Sequence, residues 1–156
     1  MNTSWRIVRA GAADAAAWSA LRQSLWPEPD PAAHSGDIRQ ILGRADTAVG
    51  FLAMTAADPA DRAVGFAEAT LRGDYVNGCE SSPVGFLEGW YVAPDSRGQG
   101  IGRALVAAVE DWARQRGCTE LASDTLLDNA DAQHAHQACG FDEAQRVVYF
   151  HKRLDR

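Results

Sequence analysis

Apolar and polar positions alternate along this chain with two periods, and the switches between them mark its elements. Residues 5–8 read as a first short strand. Over residues 12–25 the spacing is helical, with Ala17, Leu21 and Leu25 along one face. Pro27 disfavours helical geometry in the residue before it, so this helix should stop at Trp26. A second short helix is expected over residues 35–42, capped by Ser35 and burying Ile38, Ile41 and Leu42. Two strands follow, at residues 48–55 and 63–71, and the turn-rich run Ala57-Asp58-Pro59-Ala60-Asp61 between them predicts an antiparallel hairpin. A polar loop at 73–83 leads into the mostly apolar run 84–92, read as a central strand. After a loop at 94–100 come a long helix at 101–116 ended by Gly117, a strand at 120–124 and a helix at 130–139. Residues 141–152 are extended, with a bend. The order β-α-α-β-β-β-α-β-α-β joins a hairpin start to a later strand–helix–strand crossover. It predicts an α/β protein with a mixed sheet.

Composition narrows this picture only a little. The 156 residues show no repeat, linker or composition break, so residues 1–156 are read as one domain. A formal net charge of −6, from 21 acidic and 15 basic side chains, argues against a nucleic-acid partner and favours a cationic one. Cys79, Cys118 and Cys139 are odd in number and lack metal-ligand spacing, which points to a reduced, cytoplasmic setting. The first residues lack the basic-then-apolar pattern of a signal peptide. No apolar run approaches the roughly 18–20 residues that cross a bilayer, so no membrane association is expected.

The most informative segment is Val92-Ala93-Pro94-Asp95-Ser96-Arg97-Gly98-Gln99-Gly100-Ile101-Gly102-Arg103. A strand enters a glycine-rich turn that opens directly into a helix, so unpaired backbone N–H groups and the positive helix end converge on one spot. A diphosphate is the natural ligand of that geometry. A dinucleotide fingerprint would need a third glycine where Arg103 stands. A nucleotide-hydrolase loop would need a Lys-Ser or Lys-Thr after the glycines, and neither is present.

Glu88 is conspicuous, because a carboxylate inside an apolar strand is costly unless paired or used. Strand alternation groups it with Phe86 and Trp90, opposite Leu87 and Tyr91. Gly89 has no evident packing role and suggests a bulge or the close approach of another backbone. Asp124 closes the next strand and could share a cleft with Glu88. Both carboxylates also have structural readings, as an ion pair for Glu88 and a turn or helix cap for Asp124. His134 and His136 lie two apart on different helix faces, which argues against a metal pair.

The spacing Arg97, Gly100, Gly102 after Val92-Ala93-Pro94 resembles the coenzyme A pyrophosphate loop of the GCN5-related N-acetyltransferase superfamily. That resemblance implies the acyl-CoA N-acyltransferase fold and acetyl-CoA as donor, without a metal. It implies that Arg97, Gly98, Gln99, Gly100, Ile101, Gly102 and Arg103 hold the pyrophosphate. The strand backbone at Trp90, Tyr91 and Val92 would bind the pantetheine arm and polarise the thioester. Asn129 matches the residue opening the family's next helix. His136 stands where the family usually has a Tyr that returns a proton to the leaving thiolate.

Longer stretches resemble one subgroup, the aminoglycoside 6'-N-acetyltransferases. They include Leu21-Arg22-Gln23-Ser24-Leu25-Trp26-Pro27, Gly65-Phe66-Ala67-Glu68-Ala69, Asp74-Tyr75-Val76-Asn77-Gly78-Cys79 and Ala122-Ser123-Asp124. By position, Trp26, Tyr75, Glu88 and Asp124 match residues that contact the aminoglycoside. Gln145 stands where the subgroup tends to carry Glu, which removes one ammonium contact. The resemblance implies direct transfer in a ternary complex, with Glu88, Asp124 and His136 as catalytic candidates, antibiotic resistance as the outcome, and a homodimer formed through the C-terminal strands. Two rivals stand beside it: acetylation of another amine (a polyamine, a lysine or a protein N-terminus), and an acyl-CoA-binding sensor without turnover.

Overall fold

The computed structural model describes residues 4–155. Its strands are β1 (Trp5–Arg9), β2 (Ala48–Thr55), β3 (Arg62–Arg72), β4 (Val84–Val92) and β5 (Leu121–Ser123). Its α-helices are α1 (Ala15–Leu25), α2 (Pro31–Gly43), α3 (Ile101–Gln115) and α4 (Ala130–Ala138). The strands form one mixed sheet in the order β1-β2-β3-β4-β5. The first four are mutually antiparallel, and β5 joins β4 in parallel after the α3 crossover.

The two sheet faces are covered by different helices. α3 presents Ile101, Leu105, Val106, Val109, Trp112 and Ala113 to Val49, Ala53, Val64, Ala67, Ala69 and Leu87, the larger core cluster. That stripe recurs every three to four residues, as an amphipathic helix requires. On the other face α1 and α2 bury Trp18, Leu21 and Ile38 against Leu52 and Phe66. Among the described residues, no helix is long and apolar enough to cross a membrane.

Strands β2 and β4 have the predicted bounds, and α1 stops with Trp26 at its C-cap. Three expectations need correction. Helix α2 begins at Pro31 rather than Ser35. Asp30 is its cap, accepting from the Ala33 N–H at 2.9 Å, and Pro31 occupies the first turn where its missing N–H costs nothing. The buried face of α1 runs through Trp18, Leu21 and Arg22, while Ala17 is exposed. The segment after Gly140 forms no strand of this sheet. Among the described residues it meets no pairing edge: Val148, Tyr149 and Phe150 are 77%, 83% and 93% exposed. The edge strand β5 spans only three residues.

Candidate active site

The site is organised by an irregularity in β4. Glu68 of β3 pairs with Gly89, but the next pair is Ala69 with Leu87, so Glu88 is an extra residue on the β4 side. Such a bulge shifts side-chain alternation by one beyond it. Trp90 therefore lies with Leu87 against α3, and Tyr91 lies with Phe66 on the α1–α2 face. The expected grouping of Glu88 with Trp90 is overturned for this reason. Gly89 does mark the bulge, but it has a packing role as well. A Cβ there would fall 2.4 Å from the Trp26 indole, so a side chain rather than a backbone makes the close approach.

Glu88 is bound by its neighbours on β3. Its Oε1 accepts from Thr70 Oγ1 at 2.7 Å and from Arg72 Nη2 at 2.9 Å, and Oε2 accepts from the same Nη2 at 3.1 Å. The Arg72 guanidinium is itself stacked 3.4 Å from the Phe86 ring centroid. The carboxylate remains one-third exposed and lines a cavity of about 390 Å³ with Arg22, Trp26, His34, Asp37 and Glu68.

Strands β4 and β5 pair only over Gly85–Leu87 and Leu121–Ser123. Glu88 follows Leu87 on β4 and Asp124 follows Ser123 just past β5, so the two residues flank the fork where the strands part, with the Glu88 carboxylate leaning toward β3. Beyond the fork, β4 continues to Val92 without a strand partner on its β5 side among the described residues. Asp124 is exposed and makes no hydrogen bond or ion pair among the described residues. At the fork the Ser123 hydroxyl bridges the Leu87 carbonyl, at 3.1 Å, and His136 Nε2, at 2.8 Å. His136 Nδ1 donates to the Ala132 carbonyl at 2.6 Å, and the ring is held edge-on between Trp90 and Phe141. Neither imidazole nitrogen is free. The imidazole meets the fork at Ser123 and at the Trp90 ring.

The glycine loop follows β4 directly. Gly98 and Gly100 have φ of 80° and 84°, a region open to glycine and strained for other residues. Among the described residues, no side chain caps α3. The N–H groups of Ile101, Gly102 and Arg103 are therefore free at the positive end of a 15-residue helix, an arrangement that can hold an anion. The Ile101 side chain is buried, so this residue offers its backbone alone. Arg97, Gln99 and Arg103 are exposed around the loop, and Arg97 Nε donates to the Val92 carbonyl at 2.9 Å. Trp90 Nε1 donates to the Gly102 carbonyl at 3.0 Å, which ties the strand to the first turn of α3.

Other candidates are placed differently. The Asn129 side chain caps α4, accepting from the Ala132 N–H at 3.0 Å. Tyr75 stands 75% exposed on the loop between β3 and β4, and Trp26 is half-buried between Gly89 and Phe66. Gln145 is exposed on the C-terminal segment; Ala144 beside it packs against Gly78 of the Tyr75 loop.

Sequence reasoning missed the most buried charged group of all. Glu68 is 4% exposed and pairs with Arg22, while Trp18 Nε1 donates to it at 2.8 Å. Burial pushes its carboxyl above the usual range, against the downward pull of Arg22 and Trp18. Arg22 also pairs with Asp37 at 2.7 Å and donates from Nε to His34 Nδ1 at 3.1 Å. The signal was available: Glu68 interrupts an apolar strand just as Glu88 does.

Compared with known proteins, residues 15–141 match the sequence model of the Acetyltransferase (GNAT) family. The chain belongs to that family. It is 56% identical over 149 residues to an aminoglycoside N(6')-acetyltransferase type 1 of Stenotrophomonas maltophilia, covering 96% of this chain and 94% of that one. The corresponding protein of Salmonella typhimurium is 48% identical over 136 residues, covering 87% and 90%. Among solved structures, aminoglycoside N-acetyltransferase AAC(6')-Iy in complex with CoA superposes with a TM-score of 0.91 at 43% identity, covering 99% of this chain and 98% of that one. The same enzyme in complex with the bisubstrate analog CoA-S-monomethyl-acetylneamine gives 0.89 at 43% identity, covering 97% and 100%. The GNAT fold expected from the glycine loop is thereby established.

Proposed function

We propose that this GNAT protein transfers the acetyl group of acetyl-CoA to the 6'-amine of aminoglycosides, and so confers resistance to them. The observation that carries the reading is the fork: the strands part immediately after Leu87 and Ser123, with Glu88 and Asp124 on its two lips. Arg97, Gly98, Gln99, Gly100, Ile101, Gly102 and Arg103 hold the donor pyrophosphate. The strand edge at Trp90, Tyr91 and Val92, which has no strand partner on the β5 side among the described residues, receives the pantetheine and polarises the thioester carbonyl. Asn129 borders the donor side. Trp26 and Tyr75 offer aromatic faces to the sugar rings, and Gln145 borders the same opening. Glu88 and Asp124 bind the cationic acceptor and take the proton that its amine must lose before attacking. The new C–N bond forms as the C–S bond breaks, and His136 or water returns a proton to the thiolate. The three free cysteines suit a cytoplasmic protein.

Thiol release from acetyl-CoA, followed in parallel with tobramycin, kanamycin, spermidine and lysine peptides, tests this reading. Release with the two drugs and little with the other amines is expected. Release with spermidine or peptides alone would assign another acceptor, and no release with any amine would leave an acyl-CoA sensor.

The C-terminal segment supports a homodimer. Past Phe141, its backbone makes no hydrogen bond to the rest of the described chain, and its apolar side chains face outward. We propose that it completes the sheet of a second copy. Sedimentation equilibrium should give a dimer for the full chain and a monomer after deletion of residues 147–156; a full-length monomer would exclude the exchange.

A further inference from the structure

Glu68 occupies a cross-strand row in which both neighbours are glycines, Gly50 on β2 and Gly89 on β4. Each glycine makes room for an indole. A Cβ on Gly50 would fall 2.3 Å from Trp18, as one on Gly89 would fall 2.4 Å from Trp26. Helix α1 and its C-cap supply Trp18, Arg22 and Trp26 at four-residue intervals. One helix face thus lays indole, guanidinium and indole over glycine, carboxylate and glycine. Arg22 pairs with Glu68 below, and its guanidinium carbon lies 4.8 Å from the Trp26 ring centroid.

His34 closes the arrangement. Its Nδ1 accepts from Arg22 Nε, which leaves Nε2 carrying the hydrogen that is donated to the Trp26 carbonyl at 3.0 Å. Trp26 is the last residue before Pro27, and its carbonyl is held by this imidazole outside the helix ladder. His34 is 1% exposed, so losing either bond removes a partner from a largely buried polar group.

We infer that His34 and the Arg22–Glu68 pair are positioning residues that fix the Trp26 indole as a wall of the acceptor pocket. This rests on reading that pocket as the acceptor site. The cluster has a second effect there. Arg22 and Arg44 both line the cavity and would repel a polycation, but Asp37, Glu68 and Glu88 line it too, so its acidic groups outnumber its basic ones.

The test compares His34→Ala with His34→Gln, whose amide keeps a donor for the Trp26 carbonyl. His34→Ala should raise the KM for tobramycin about tenfold, the effect of releasing the hydrogen bond that holds the Trp26 carbonyl. The kcat and the KM for acetyl-CoA should stay within about twofold. In ¹⁵N-indole NMR spectra, with the Trp26 signal identified by its loss in Trp26→Phe, that signal should broaden or double in His34→Ala. His34→Gln should restore both readouts. If His34→Ala fails to fold, Glu68→Gln carries the same two measurements. A sharp, unshifted Trp26 signal in these variants would overturn the inference. So would a parallel deterioration of kcat and both KM values. Should the wild-type protein acetylate no aminoglycoside, the acceptor assignment fails, and the indole spectra still decide whether His34 holds Trp26.

Discussion

Arg22→Met is expected to cost about 3–5 kcal/mol of folding stability near neutral pH, because it strands a buried carboxylate without its counter-charge. Glu68 would keep only the Trp18 N–H, in a position 4% exposed. The penalty should depend on pH in a defined direction. Burial already raises the Glu68 carboxyl above its ordinary value of 4.5, and Arg22 supplies the two largest opposing causes. Removing Arg22 raises it further. A carboxyl raised in the folded state contributes stability that is fully present below 4.5 and lost as pH rises through the folded value. Urea unfolding of wild type and Arg22→Met should therefore differ least in acid and most at neutral pH. The double variant Arg22→Met/Glu68→Leu should recover much of the loss, since apolar replacement of a whole buried pair is often tolerated. A difference under about 1 kcal/mol at every pH would mean that water reaches Glu68 freely.

The second large effect concerns the fork. Asp124→Ala should lower kcat/KM for tobramycin by about 10²–10⁴, the range of a lost acid–base group, with most of the fall in kcat. Glu88→Ala should act more on KM. Both Glu88 oxygens are already engaged by Arg72 or Thr70, whereas Asp124 is unengaged among the described residues. Removing Glu88 also leaves Arg72 as an unbalanced positive charge beside a cationic acceptor. Thiol-release kinetics over a range of tobramycin concentrations separates the two. Values within twofold of wild type for both variants would remove the carboxylates from the mechanism.

How far the sequence disclosed this arrangement differs element by element. Strand β4 and the loop from Arg97 to Gly102 were legible because local chemistry defines them: an apolar run, left-handed glycines and a helix start within a few residues. Helix α2 starts four residues before the Ser35 cap expected from the sequence, because Asp30-Pro31 is the stronger start. The side-chain order along β4 was misread because a bulge is a property of two strands, and alternation counted along one cannot show it. The Arg22–Glu68–His34 cluster joins residues 12 to 46 apart in the chain. Each reads alone as an ordinary polar residue, and only helix-on-sheet packing brings them together. The last expected strand is absent because residues 141–152 pair with no strand among the described residues, and pairing is not written in the segment's own pattern.

The bulge at Glu88 has a consequence for how such a protein can evolve. Because alternation shifts by one there, the same strand turns Glu88, Gly89 and Tyr91 toward α1 and α2 while Trp90 braces the first turn of α3. On the proposed reading, donor grip and acceptor choice thus reside on opposite faces, carried by different helices and loops. On that reading, substitutions in α1, α2 or the Tyr75 loop should broaden or narrow the range of amines without disturbing the loop from Arg97 to Gly102. New resistance spectra should accordingly arise by drift on one face of the sheet, under selection that keeps the other face constant.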